Sequence, residues 1–159
     1  MIAMKRILGT ALALLLTISL ANAQFKGQWT VSHGYEVRTN PSYFGMNAAA
    51  EFFPTHYFSI RPSYAVYLPA LGKASGANLD FRYFLTEKKT QWYASAGYGF
   101  YQRKFEANQQ PMLKQSYFHL GTGLNLKLMD QLGINPEIQS QLGPNTSWVF
   151  KVGLVYFVN

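Results

Sequence analysis

The chain has 159 residues, 48% of them hydrophobic, 16% aromatic and 13% charged, with no cysteine and a formal net charge of +7. That length suits one domain, and the charged fraction falls well below the roughly 25% of an ordinary soluble domain. A disulfide framework, a cysteine-ligated metal and a disordered chain are excluded, because aromatic-rich, weakly charged sequence buries surface readily.

Residues 1 to 23 carry a basic start (Lys5, Arg6), an apolar run from Ile7 to Leu20 and the small-x-small site Ala21-Asn22-Ala23. These are the three parts of a secretory signal peptide, and the apolar run is shorter than the about 20 residues a membrane helix needs. The expected division is 1–23 as signal peptide and 24–159 as barrel domain, with cleavage lowering the charge from +7 to +5 through loss of Lys5 and Arg6.

Eight runs of period-two alternation follow, with turn residues between them. The first sets Trp29, Val31, His33, Tyr35 and Val37 against Thr30, Ser32, Gly34 and Glu36; the second sets Phe44, Met46, Ala48, Ala50 and Phe52 against Gly45, Asn47, Ala49 and Glu51. The third opposes Phe58, Ile60, Pro62, Tyr64 and Val66 to Ser59, Arg61, Ser63 and Ala65, and the fourth opposes Ala77, Leu79, Phe81, Tyr83 and Leu85 to Asn78, Asp80, Arg82 and Phe84. After the turn 86–90, the fifth has Trp92, Ala94, Ala96, Tyr98 and Phe100 on one face, and the longest connection, about Lys104 to Lys114, precedes the sixth, led by Phe118, Leu120, Thr122, Leu124 and Leu126. The seventh is a short run, 134–139, and the eighth sets Trp148, Phe150, Val152, Leu154 and Tyr156 against Lys151, Gly153 and Val155. Pro62 and Pro136 interrupt their runs and are expected to mark bulges or strand ends, since each lacks a ladder N–H.

Eight such strands predict an all-β, eight-stranded antiparallel up-and-down barrel. Its polar face carries Gly, Ser, Asn, Ala and Tyr rather than Lys and Glu, which suits the narrow interior of a barrel whose apolar face meets lipid. A soluble ligand-binding barrel of lipocalin or avidin type would reverse the faces; only Gly27-Gln28-Trp29 resembles those families. Aromatic residues collect toward two rims, Tyr35, Phe44, Phe100 and Trp148 at one and Phe52, Phe58, Tyr83, Trp92 and Tyr156 at the other, as in interfacial girdles.

At the C-terminus, Lys151, Gly153, Tyr156 and Val158 form a polar-x-Gly-x-x-aromatic-x-apolar pattern. It resembles the signal by which the barrel-assembly machinery recognises bacterial outer-membrane barrels, although those usually end on an aromatic residue. Together with Phe58-Ser59-Ile60-Arg61-Pro62 and the stretch from Phe118 to Asn125, the chain is similar to the small outer-membrane β-barrels of Bacteroidetes-type bacteria, the OmpA/OmpX-like class. The resemblance implies a porin-like transmembrane barrel of the Gram-negative envelope, without cofactor, in contact with outer-membrane lipid and lipopolysaccharide. No nucleic-acid motif is present.

Two groups of charges follow from this arrangement. Glu36, Glu51, Arg61, Asp80, Arg82, Lys127, Glu137 and Lys151 face the lumen and are expected to pair there, because an unpaired buried charge costs several kcal/mol. Arg38, Lys73, Arg103, Lys104 and Lys114 fall near one set of loops and are candidates for contact with lipopolysaccharide. The expected role is non-enzymatic, structural or recognition through loops. A lipid A-modifying enzyme is the alternative, for which His119 beside Ser116 is the nearest histidine and serine; no His-x-Ser pair occurs. His33 projects toward lipid, and His56 falls in a turn.

Overall fold

β-branched and aromatic residues alternating with small polar ones favour extended strands with one apolar face, and eight of them form here. The computed structural model describes residues 26–86, 89–105 and 111–158. The signal segment 1–23, residues 87–88 of the turn 86–90 and the centre of the 104–114 connection lie outside the described residues. The strands are β1 (Trp29–Thr39), β2 (Ser42–Phe52), β3 (Phe58–Tyr67), β4 (Lys73–Phe84), β5 (Thr90–Lys104), β6 (Leu113–Lys127), β7 (Leu132–Leu142) and β8 (Ser147–Val158). Each pairs antiparallel with its neighbour in sequence, and β8 pairs with β1 to close the barrel.

Paired residues traced once around the wall lead from Trp29 through Phe52, Ile60, Phe81, Ala96, Leu120 and Ser140 to Trp148. Trp148 adjoins Val149, the partner of Arg38, so the path returns to β1 ten residues beyond its start. A stagger of that size across eight strands sets a tilt of about 40° and a radius of about 8 Å, too narrow for anything but side chains. At the closing seam Gly34 faces Gly153, and a methyl added at Gly34 would strike the backbone of Val152 and Gly153.

The apolar face points outward along every strand, with Trp29, Phe44, Phe118 and Trp148 exposed, while Thr30, Arg61, Asp80 and Gln139 are buried inside. This polarity is the inverse of a soluble ligand-binding barrel. Aromatic pairs occur outside near both rims, Tyr35 on Phe44 at one and Trp29 on Phe52 at the other, with centroids 5.6 and 4.8 Å apart. Both chain ends of the barrel and the connections 53–57, 85–89 and 128–131 lie at one rim, and 40–41, 68–72, 105–112 and 143–146 lie at the opposite rim. The difference in loop length between the rims therefore rests on 105–112.

β5 and β6 extend beyond the runs read from sequence, to Lys104 and from Leu113. Apolar alternation stops at Phe100 and Phe118 because the outward residues Gln102, Lys104, Lys114 and Ser116 are polar, but the backbone ladder continues. β7 likewise runs from Leu132 to Leu142.

Pro62 and Pro136 are neither bulges nor strand ends. Pro62 pairs with Leu79 and Pro136 with Val152 in unbroken register on one side. On the other side the ladder skips from Ala49↔Ser63 to Phe52↔Ile60, and from Gly123↔Glu137 to Leu126↔Ile134, with no residue inserted. In the second gap Asn135 Nδ2 donates to the Leu124 carbonyl at 2.9 Å, replacing the donor that Pro136 lacks. Asn135→Ala is expected to lower the unfolding free energy by about 1–3 kcal/mol, the penalty of a buried unsatisfied group. Urea unfolding in lipid vesicles measures this, and the loss should shrink in a Pro136→Ala background, where a backbone N–H is restored.

Candidate functional site

Inward side chains divide the lumen into three levels. At the end where β1 begins and β8 ends, Phe53, Phe84 and Tyr93 have no exposed surface and pack as tilted rings with centroids 5.3 and 5.2 Å apart. At the opposite end, Tyr67 and Tyr101 pack at 6.0 Å, and the Arg38 guanidinium lies 4.6 Å from the Tyr101 ring and 5.7 Å from that of Tyr117. An ionic layer lies between these aromatic levels.

Arg82 is its centre. One guanidinium nitrogen is 2.5 Å from Glu137 Oε2 and another is 3.3 Å from Glu51 Oε2, with the guanidinium 4.1 Å over the Tyr93 ring. Arg61 approaches Glu137 at 3.4 Å and Asp80 at 3.7 Å, and donates to Ser32 Oγ at 3.1 Å. Asp80 also bonds His119 Nε2 and accepts from Gln139 Nε2 at 3.3 Å. Neutral donors complete the layer: Ser59 and Thr30 donate to Glu51 at 2.5 and 3.2 Å, and Gln139 and Tyr93 donate to Glu137 at 2.6 and 3.0 Å. Lys151 is buried and lies on the ladder between Glu36 and Glu137. Three carboxylates, Glu51, Asp80 and Glu137, thus share a layer with the cations Arg61, Arg82 and Lys151.

Two members of the charge set predicted from sequence lie elsewhere. Glu36 is one level up, accepting from Asn47 Nδ2 at 3.0 Å. Lys127 faces inward at the terminal end of β6, 4.2 Å over the Phe157 ring, and takes no part in the central ion pairs. His119, Gln139, Tyr93, Ser59 and Thr30 join the layer without having been singled out for it. Their inward parity is legible in sequence, but their partners lie across intervening strands.

Glycine makes that reach possible. Asp80, Gly97 and His119 form one row across β4, β5 and β6, and a methyl at Gly97 would strike the His119 ring that crosses it to Asp80. Asn78, Gly99 and Tyr117 form the adjacent row, in which the Tyr117 hydroxyl donates to Asn78 Oδ1 at 2.6 Å. Tyr93, Gly123 and Glu137 repeat the arrangement across β5, β6 and β7.

The five cations assigned to the loops also divide. Arg38 is an interior residue, 2% exposed, whose Nε donates to the Asn40 carbonyl at 3.0 Å. Arg103 turns inward as well, over the rings of Tyr43 and Phe105 at 5.4 and 4.4 Å. Lys73, Lys104 and Lys114 are exposed, on the outward faces of β4, β5 and β6. Ser116 and His119 lie on opposite faces of β6, so they do not form a nucleophile and base.

No family model matches the chain, and no curated protein matches it significantly in sequence. Among solved structures, it resembles the N-terminal β-barrel domain of Pseudomonas aeruginosa OprF, with a TM-score of 0.69 at 17% identity over 83% of this chain and 99% of that one. It is also similar to OprG from the same organism (TM-score 0.65, 10% identity, 88% and 100% covered). Ail of Yersinia pestis, solved with the heparin analogue sucrose octasulfate, gives a TM-score of 0.62 at 14% identity, with 84% and 100% covered. The chain therefore has the fold of the small, eight-stranded outer-membrane β-barrels.

Arg82→Met is expected to destabilise the barrel by about 3–5 kcal/mol, because it leaves Glu51 and Glu137 buried against fewer cations. Lys127→Met should cost far less. Unfolding in urea compares the two, and Gly97→Ala should fall between them at about 1–3 kcal/mol, the range for overpacking.

Proposed function

We propose that this chain is a non-enzymatic protein of the bacterial outer membrane, delivered with a cleaved signal peptide and serving as a closed structural element of the envelope. The observation that carries this reading is the filled lumen: an ion-paired layer between two aromatic levels. The charges Glu51, Arg61, Asp80, Arg82 and Glu137 are held by partners on other strands, so opening a water path would require separating several buried pairs together, at several kcal/mol each. The outward apolar face, the signal-like segment and the C-terminal pattern, on which the barrel-assembly machinery is proposed to act, support the location. The affinity to Bacteroidetes-type barrels belongs to the same proposal and rests on the sequence motifs.

In this reading the chain termini lie in the periplasm, and 40–41, 68–72, 105–112 and 143–146 face outside. The two short outer connections, 40–41 and 143–146, leave little surface for recognition by loops, which favours a structural role. The purified protein reconstituted in a planar bilayer should show no steady conductance at neutral pH; a stable open level would overturn the closed-element reading. The chain has no cysteine, so single substitutions label uniquely. Met112→Cys should react with a membrane-impermeant maleimide in intact cells, and Met129→Cys only after permeabilisation. The reverse pattern would invert the topology.

A further inference from the structure

A groove of about 500 Å³ crosses the outward surface of β3 to β6 near the loop-bearing rim. That volume is within the range of about 300–1,000 Å³ typical of small-molecule sites. Ala77 and Ser116 line it on either side of Phe100, Tyr64 lies beyond Ala77, and Gln102 and Lys114 line its upper end. Tyr64, Ala77, Phe100 and Ser116 occupy one continuous row of the ladder, so Ala77 lies between the two aromatic residues and Ser116 lies on the far side of Phe100. Gln102, which donates to Ser75 at 2.9 Å, and Lys114 are partners on the next outward row toward the rim.

Among the described residues, the charge above the groove is of one sign. Lys73 and Lys104 sit directly opposite each other on the ladder and both point outward, with Lys114 on the adjoining strand. Like charges opposed across a sheet repel, and an anion held between them relieves that repulsion. Of the described acids, Glu36, Glu51, Asp80 and Glu137 are buried in the lumen and Asp130 is at the other rim, so none neutralises this patch. A soluble partner would have to displace bilayer to enter a groove on the lipid face. The occupant that fits both parts has an apolar chain below and a phosphate above.

We propose that this groove binds one molecule of lipid A, with an acyl chain lying over Ala77 between Tyr64 and Phe100, and a phosphate held by Lys114 with Lys73 and Lys104. The proposal rests on the outer-membrane reading above and adds a lipid partner to it. The basic rim, not the loop tips, is the contact surface for lipopolysaccharide, and Arg38 and Arg103 have no part in it.

The test uses the mature protein refolded in neutral detergent and titrated with lipid A, bound lipid being counted by native mass spectrometry. One lipid A should be retained, with affinity reduced about fivefold in Lys114→Gln, in line with roughly 1 kcal/mol per lysine near an anionic surface. Ala77→Trp should abolish retention by filling the groove, Ser116→Leu should weaken it from the far side of Phe100, and Lys26→Gln at the far rim should leave it unchanged. Unboiled gel migration confirms that each variant is folded. Binding of phosphatidylethanolamine as tight as that of lipid A, equal competition by the deacylated phosphorylated disaccharide, or wild-type retention in both Lys114→Gln and Ser116→Leu would overturn the proposal. Such a failure in a heat-modifiable, membrane-embedded barrel leaves the structural role standing; a chain recovered in the aqueous fraction removes that role instead.

Discussion

Inside a bilayer no water is available to the backbone, so each strand must find ladder partners on both edges. Pairing of β8 with β1 meets that requirement. With eight strands and a stagger of ten residues, closure fixes a radius of about 8 Å, and the narrow lumen governs what can lie inside. Bulk water has no room there, so a charge that enters must meet its complement on another strand. Glu51, Arg61, Asp80, Arg82, His119 and Glu137 are drawn from five strands and form one connected set.

The same narrowness explains the distribution of small residues. If each inward position carried a large side chain, neighbours on successive strands would collide; with glycine at Gly97, Gly99 and Gly123, a ring or carboxylate can cross a strand and bond the one beyond. Residues that leave a gap in the sheet are compensated in a related way. Pro136 removes a backbone donor at the β6–β7 edge, and the inward amide of Asn135 supplies one to Leu124 while also bonding the Tyr93 hydroxyl at 2.7 Å. Tyr93 then donates to Glu137, so repair of the wall and pairing of the lumen share one chain of hydrogen bonds.

Strand parity sorts the cations by the same rule that sorts the apolar residues. Arg38 and Arg103 have inward parity and stack on lumen tyrosines, where a delocalised guanidinium meets a ring face favourably. Lys73, Lys104 and Lys114 have outward parity, at the loop-bearing ends of β4 to β6. Closeness to a loop in sequence does not predict this division; the face of the strand does.

Alternation along the chain was enough to specify eight strands, their inward and outward faces and the polarity of the barrel, because a period of two depends only on local backbone geometry. It underestimated β5, β6 and β7, since the outward residues turn polar before the hydrogen-bond ladder ends. It also grouped Lys127 with the lumen ion pairs, because parity gives a side chain's face but not its level. Which charges meet, that His119 reaches Asp80 across Gly97, that both prolines keep register, and that three lysines overhang a groove all depend on the stagger of eight strands around a closed wall. That stagger is a property of closure, summed over every pairing, and no single segment of the sequence contains it.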